Sequence, residues 1–81
     1  MKLPRDLSGL DLAKALGAHG YRVTRQTGSH IRLTSTAVGE HHVTIPNHDT
    51  LRVGTLTAIL GDIADHIGMT REELVKQLFG G

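Results

Sequence analysis

The chain has 81 residues, a formal charge of +1 and no cysteine or tryptophan. That length suits one small domain, residues 1–81, with a core of modest depth, and the missing thiols exclude a disulfide framework and a thiolate zinc site. No stretch approaches membrane-spanning length, and the opening Met-Lys-Leu-Pro-Arg-Asp lacks the apolar run of a secretory signal, so the sequence reads as a soluble cytoplasmic protein.

The small net charge conceals a split, because residues 1–32 carry +4 and residues 33–81 carry −3. A polyanion would favour the first half.

Ser8 is a helix N-cap, and Asp11 three residues on is a weaker form of the capping-box acid. A helix is expected over residues 9–19, with Leu10, Ala13, Leu16 and Gly17 on one side and Gly20 ending it. The alternating run from Tyr21 to Gln26 is rich in β-formers, and Thr27-Gly28 is a turn signal before the next alternating run, residues 29–35. The two form a hairpin. Period-two geometry sends Tyr21, Val23, Ser29, Ile31 and Leu33 to the buried face, and Arg22, Thr24, Gln26, His30, Arg32 and Thr34 to the polar one.

Residues 40–45 alternate again, with Val43 and Ile45 inward and His42 and Thr44 outward, and Pro46 ends the strand. Val53, Leu56, Ile59, Leu60, Ile63 and Ile67 then recur at three- and four-residue spacing, which predicts a helix over residues 52–67 closed by Gly68. Thr70-Arg71-Glu72-Glu73 is a capping box opening a last short helix with Leu74, Val75 and Leu78 apolar, and residues 79–81 are expected to fray. The fold class is therefore α+β, a three-stranded antiparallel meander with helices on one face and the other face open.

An ordered set of residues resembles HicA-type toxins, small mRNA interferases of type II toxin-antitoxin systems with a fold like the double-stranded-RNA-binding domain. It comprises the early helix, Gly20-Tyr21, Gly28-Ser29-His30, Val43-Thr44-Ile45-Pro46 followed by His48, Gly54-Thr55-Leu56 and Ile59-Leu60. The resemblance implies an α-β-β-β-α order, to which this chain adds an extra C-terminal helix over residues 70–79. It also implies metal-independent endoribonuclease cleavage of mRNA with His30 as catalytic residue, and a HicB-type antitoxin covering the sheet face that holds His30.

The residues themselves suit that chemistry. An imidazole, with an unperturbed pKa of about 6.5, can take the proton of a 2′-hydroxyl or return one to the leaving 5′-oxygen. Arg32 follows His30 on the same strand face, where its guanidinium can hold a phosphate oxygen. His42 on the adjoining strand and His48 in the loop after it are alternative second proton-transfer groups. Arg22 and Arg25 are candidate RNA contacts, and Ser29 fixes the turn by a local hydrogen bond. His19, His41 and His66 read as structural. His41 and His42 point to opposite faces and cannot chelate one ion, so neither metal nor cofactor is implied.

Other readings of the same chain are a non-catalytic double-stranded-RNA binder, a helix-turn-helix DNA binder over residues 63–74, and an interaction subunit with no activity.

Overall fold

The computed structural model describes residues 3–80. Helix α1 (Gly9–Leu16) begins at a reciprocal cap: the Ser8 hydroxyl accepts the Asp11 N–H at 3.0 Å, and the Asp11 carboxylate accepts the Ser8 N–H at 3.5 Å. Its last turn tightens into a 3₁₀ turn over Gly17–His19, and Gly20, at φ 84°, reverses the chain into the sheet. Strands β1 (Arg22–Gln26), β2 (His30–Ser35) and β3 (His41–Pro46) pair antiparallel in the order β1-β2-β3. Helices α2 (Val53–Ile67) and α3 (Arg71–Phe79) complete the α+β arrangement, which has the element order of a double-stranded-RNA-binding domain with one helix added.

All helices lie on one side of the sheet. Between the layers sits a core that includes Leu12, Leu16, Tyr21, Ile31, Leu33, Ile45, Leu60 and Ile63, all almost wholly shielded from water. Gly68, at φ 76°, ends α2, and Thr70 and Glu73 cap α3 as their spacing predicts.

The inward face of α1 differs from expectation. Gly9, Leu12, Ala13 and Leu16 are buried, while Leu10 is 44 % exposed. The choice between these two overlapping stripes is made by Gly9, whose N–H donates to the His48 carbonyl at 3.0 Å and which seats against the Pro46 carbonyl so closely that a Cβ would collide with it. Only a glycine lets the helix start this close to the end of β3.

Strand β1 also departs from simple alternation. Val23 pairs with Leu33 and shares its face, yet is 48 % exposed because the helices lie chiefly over β2 and β3. The register then shifts between Val23 and Arg25, a β-bulge, after which Arg25 stands opposite Arg32 and Gln26 opposite Ile31. Alternation predicts Gln26 on the polar face, and it lies on the other. Ser29 is likewise not inward: it belongs to the turn before β2 and is exposed. Pro46 is the last residue of β3 instead of following it, which an edge strand permits because no partner needs its missing N–H. Of the segment expected to fray, Phe79 ends α3 packed against the core, and Gly81 lies outside the described residues.

The two glycines at the ends of α1 make opposite predictions. Gly9→Ala is expected to destabilise the protein despite alanine's better helix propensity, because the new Cβ meets backbone. Gly17 is in right-handed helical conformation with nothing within 4 Å of where a Cβ would stand, so its replacement by Ala should add about 0.4–1 kcal/mol of stability. Urea unfolding of the two variants measures both signs.

Candidate functional site

The uncovered face of the sheet carries His30, Arg32 and Thr34 from β2. Across from them stand Arg22, Thr24 and Arg25 on β1, and His42 and Thr44 on β3. The turn entering β2 is held by Thr27, whose hydroxyl accepts the N–H of Ser29 at 3.3 Å and of His30 at 3.0 Å, while its own N–H donates to the His30 carbonyl at 2.9 Å. From the other side Asn47 donates its backbone N–H to the Ser29 carbonyl at 2.9 Å and its amide to the Gly28 carbonyl at 3.4 Å. His30 is thus exposed in side chain and anchored in backbone.

Ser29 orients the ring. Its hydroxyl lies 3.0 Å from His30 Nδ1, and no described residue bonds Nε2. A hydroxyl can donate to a bare nitrogen or accept from a protonated one, so either protonation state of the imidazole is held in one orientation with Nε2 free. The local hydrogen bond expected of Ser29 exists, but it sets the imidazole; Thr27 sets the turn.

Beside His30 the face is cationic. Arg32 follows it on β2, and the bulge sets Arg25 directly across from Arg32. Like charges directly opposite on neighbouring strands are unfavourable, and among the described residues no carboxylate lies within ion-pair distance of Arg22, Arg25 or Arg32. Alternation alone would turn Arg25 toward the helices; a charge at an inward parity is the signal in the sequence that a bulge intervenes.

The two alternative partner histidines occupy different places. His42 pairs with Thr34, four β2 residues from His30, which is ~13 Å along the strand. It is occupied there: Nδ1 lies 2.8 Å from the Thr34 hydroxyl and Nε2 2.8 Å from the Glu40 carboxylate. His48 is exposed two residues beyond Pro46, the cross-strand partner of His30. The register therefore brings the loop carrying His48 to the His30 end of the face and takes His42 to the far end.

His41 and His66 lie behind the sheet. His41 Nδ1 is hydrogen-bonded to the Tyr21 hydroxyl at 2.6 Å, its Nε2 is 3.4 Å from the Asp62 carboxylate, and its ring stacks on His66 with centroids 4.2 Å apart. His66 in turn donates from Nε2 to the Gly39 carbonyl at 3.2 Å. His41 and His42 do face opposite ways. Among the described residues no group of three His, Cys, Asp or Glu side chains is placed to hold a metal ion, and no helix is long and apolar enough to cross a membrane.

The sequence matches the family described as "HicA toxin of bacterial toxin-antitoxin" over residues 9–64, more than half of the chain. The chain belongs to the HicA toxin family. No curated protein and no solved structure matches it. The HicA match begins with α1, takes in the whole sheet and its open face, and stops inside α2, so α3 lies beyond it. Membership in a toxin-antitoxin family implies an antitoxin as partner.

Tyr21 gives a test of this packing, since it is the chain's one tyrosine and no tryptophan obscures it. Burial, and secondarily the charge of Asp62, raise its pKa above the ordinary value near 10. The unfolded chain therefore loses the phenolic proton first, so stability present below pH ~10 is lost as pH rises toward the folded pKa. Phenolate absorbance should report a delayed titration in the folded protein, and Tyr21→Phe should remove this alkaline loss of stability.

Proposed function

We propose that the chain is the toxin of its system by virtue of endoribonuclease activity: it cuts mRNA at His30 without a metal ion, and a HicB-type antitoxin silences it by covering the open face. The observation that carries this reading is the unneutralised Arg25–Arg32 pair beside an imidazole whose Nε2 is free. Two guanidiniums held together against their mutual repulsion favour an anion between them, and the phosphodiester of RNA is such an anion.

In the reaction an imidazole takes the proton of the 2′-hydroxyl, the oxygen attacks the adjacent phosphorus, and the bond to the 5′-oxygen breaks as a second group protonates it. The products are a 2′,3′-cyclic phosphate and a free 5′-hydroxyl. His30 touches the reacting atoms as one proton-transfer group, in whichever role its Ser29-held protonation state allows. Arg32, with Arg25, stabilises the negative charge that grows on the phosphoryl oxygens. His48 is the better second group, since His42 is ~13 Å along the strand and bonded to Glu40 and Thr34.

Gly28 supports the same reading. Its φ is not in the left-handed region, and a Cβ there would meet nothing within 4 Å, so the turn itself makes no demand for glycine. The absent side chain leaves open space beside His30 for a sugar–phosphate backbone to approach.

The α2–α3 pair is a poorer nucleic-acid surface. Its second helix starts with Glu72 and Glu73, and Glu73 is engaged in capping Thr70. An antitoxin that buries the open face and presents carboxylates to Arg25 and Arg32 would both exclude RNA and relieve the charge repulsion.

His30→Ala should abolish cleavage of a labelled mRNA fragment and the growth arrest it causes; full activity in that variant refutes the assignment. Arg32→Ala should slow cleavage by about 10²-fold or more while Arg71→Ala, on α3, changes little. His48→Ala should slow it more than His42→Ala. The rate should follow a bell-shaped pH profile and be indifferent to EDTA, whereas loss of activity on chelation would assign the chemistry to a metal.

A further inference from the structure

We propose that a cleft at the far end of the open face is a second nucleotide subsite, holding the ribose and phosphate of a residue remote from the cleaved bond on the same RNA strand. The proposal rests on the ribonuclease reading above and adds to it a minimum substrate length and a second 2′-hydroxyl contact, remote from the one that reacts.

The cleft measures about 360 Å³ and is lined by Gly20, Arg22, Thr24, Thr34, Thr36 and Ala37. That volume is at the small end of ligand sites, which run from about 300 to 1,000 Å³, and suits one nucleotide unit. Its chemistry is narrow: one guanidinium, three threonine hydroxyls, no carboxylate and no aromatic ring. Such a lining has nothing on which to stack a base. It fits the backbone instead, with Arg22 for a phosphate and hydroxyls for a ribose.

The hydroxyls are already arranged. The Glu40 carboxylate accepts from His42 Nε2 at 2.8 Å, so in the neutral ring Nδ1 is the bare nitrogen and accepts from the Thr34 hydroxyl at 2.8 Å. With its proton so committed, Thr34 Oγ1 is an acceptor, and it is the nearer of two acceptors for the Thr24 hydroxyl, 3.0 Å away against 3.4 Å to the Arg32 carbonyl. Thr34 keeps a further acceptor position, and a ribose 2′-hydroxyl is a donor that DNA lacks. His42 and Glu40, which stand too far from His30 to share its reaction, are thus positioning residues that polarise this ladder.

Location supplies the rest. Arg22 pairs with Thr34, ~13 Å along β2 from His30, and the Arg25–Arg32 pair lies between. The guanidiniums therefore line one track parallel to β2, from the reacting phosphate to the cleft, and a dinucleotide cannot reach its far end.

The test compares a dinucleotide with a longer single-stranded RNA containing the same cleaved step. Wild type should cut the longer RNA about tenfold faster, the value of one charge-assisted hydrogen bond. Ala37→Trp, which fills the cleft, should cut both at the dinucleotide rate. Replacing single 2′-hydroxyls by hydrogen along the longer RNA should reveal one position, remote from the cleaved bond, where wild type slows severalfold. Thr34→Val should be insensitive to that change and Thr34→Ser sensitive again, a pattern that simple misfolding does not produce.

Equal wild-type rates on the two lengths, or a length preference that survives Ala37→Trp, overturns the subsite. If wild type cuts neither RNA, the ribonuclease reading fails by itself, and fluorescence anisotropy with the same longer RNA decides the cleft. Weaker binding by Ala37→Trp than by wild type then supports it, and equal binding ends it.

Discussion

Burial of Ile31 and Leu33 on β2, and of Val43 and Ile45 on β3, against the helices fixes the pleat of the sheet, and every exposed group of the open face follows from it. The side-chain period of a strand is two, so a one-residue slip would carry these four apolar residues into water and His30, Arg32 and Thr34 into the core. The cost of such a slip is several buried aliphatic side chains at once. Register and the make-up of the open face are thus one decision, made by hydrophobic burial on the opposite side of the sheet.

Within that register, β1 is the place where local and global preferences part. Its outer position leaves it exposed along its whole length, so packing does not dictate which way each residue points. The bulge exploits this freedom by setting Arg25 against Arg32. A cross-strand cation pair without a counterion opposes stability, and conflicts of that kind in an otherwise consistent fold concentrate where a ligand resolves them. The opposite end of the face has a different character, since Glu40 and His42 there are bonded to each other and to a threonine. One end of the sheet therefore holds a cation pair and an imidazole with a free nitrogen, while the other holds a chain of hydrogen bonds from Glu40 through His42 to the threonines beside Arg22.

The covered side has its own polar fastening. Tyr21, His41, Asp62 and His66 join the start of β3 to α2 through a hydrogen bond, an ion-pair distance and a stack. No described residue of this set faces the open side, so the histidines of the sheet and α2 divide by face into a group packed behind the sheet and a group exposed on its open face. The HicA match takes in the exposed group and His41 but ends two residues before His66, and α3 extends the helical layer past it by burying Leu74 and Val75.

Local signals carried much of the architecture: alternation set the meander, three- and four-residue spacing set α2, and the Ser8–Asp11 and Thr70–Glu73 pairs set two helix starts. The exposure of His30 and Arg32 on one face was legible for the same reason, since period-two geometry needs only a strand and a buried neighbour. Three features emerged only on folding. Leu10 lost to Leu12 because Gly9 seats on the Pro46 carbonyl, a contact between segments far apart in the chain. Arg25 joined the open face, and Gln26 left it, because an uncovered edge strand accommodates a bulge that composition does not record. His48 and His42 were separated as partners for His30 because cross-strand pairing, and not distance along the chain, decides which side chains meet; hydrogen-bond register belongs to the sheet as a whole.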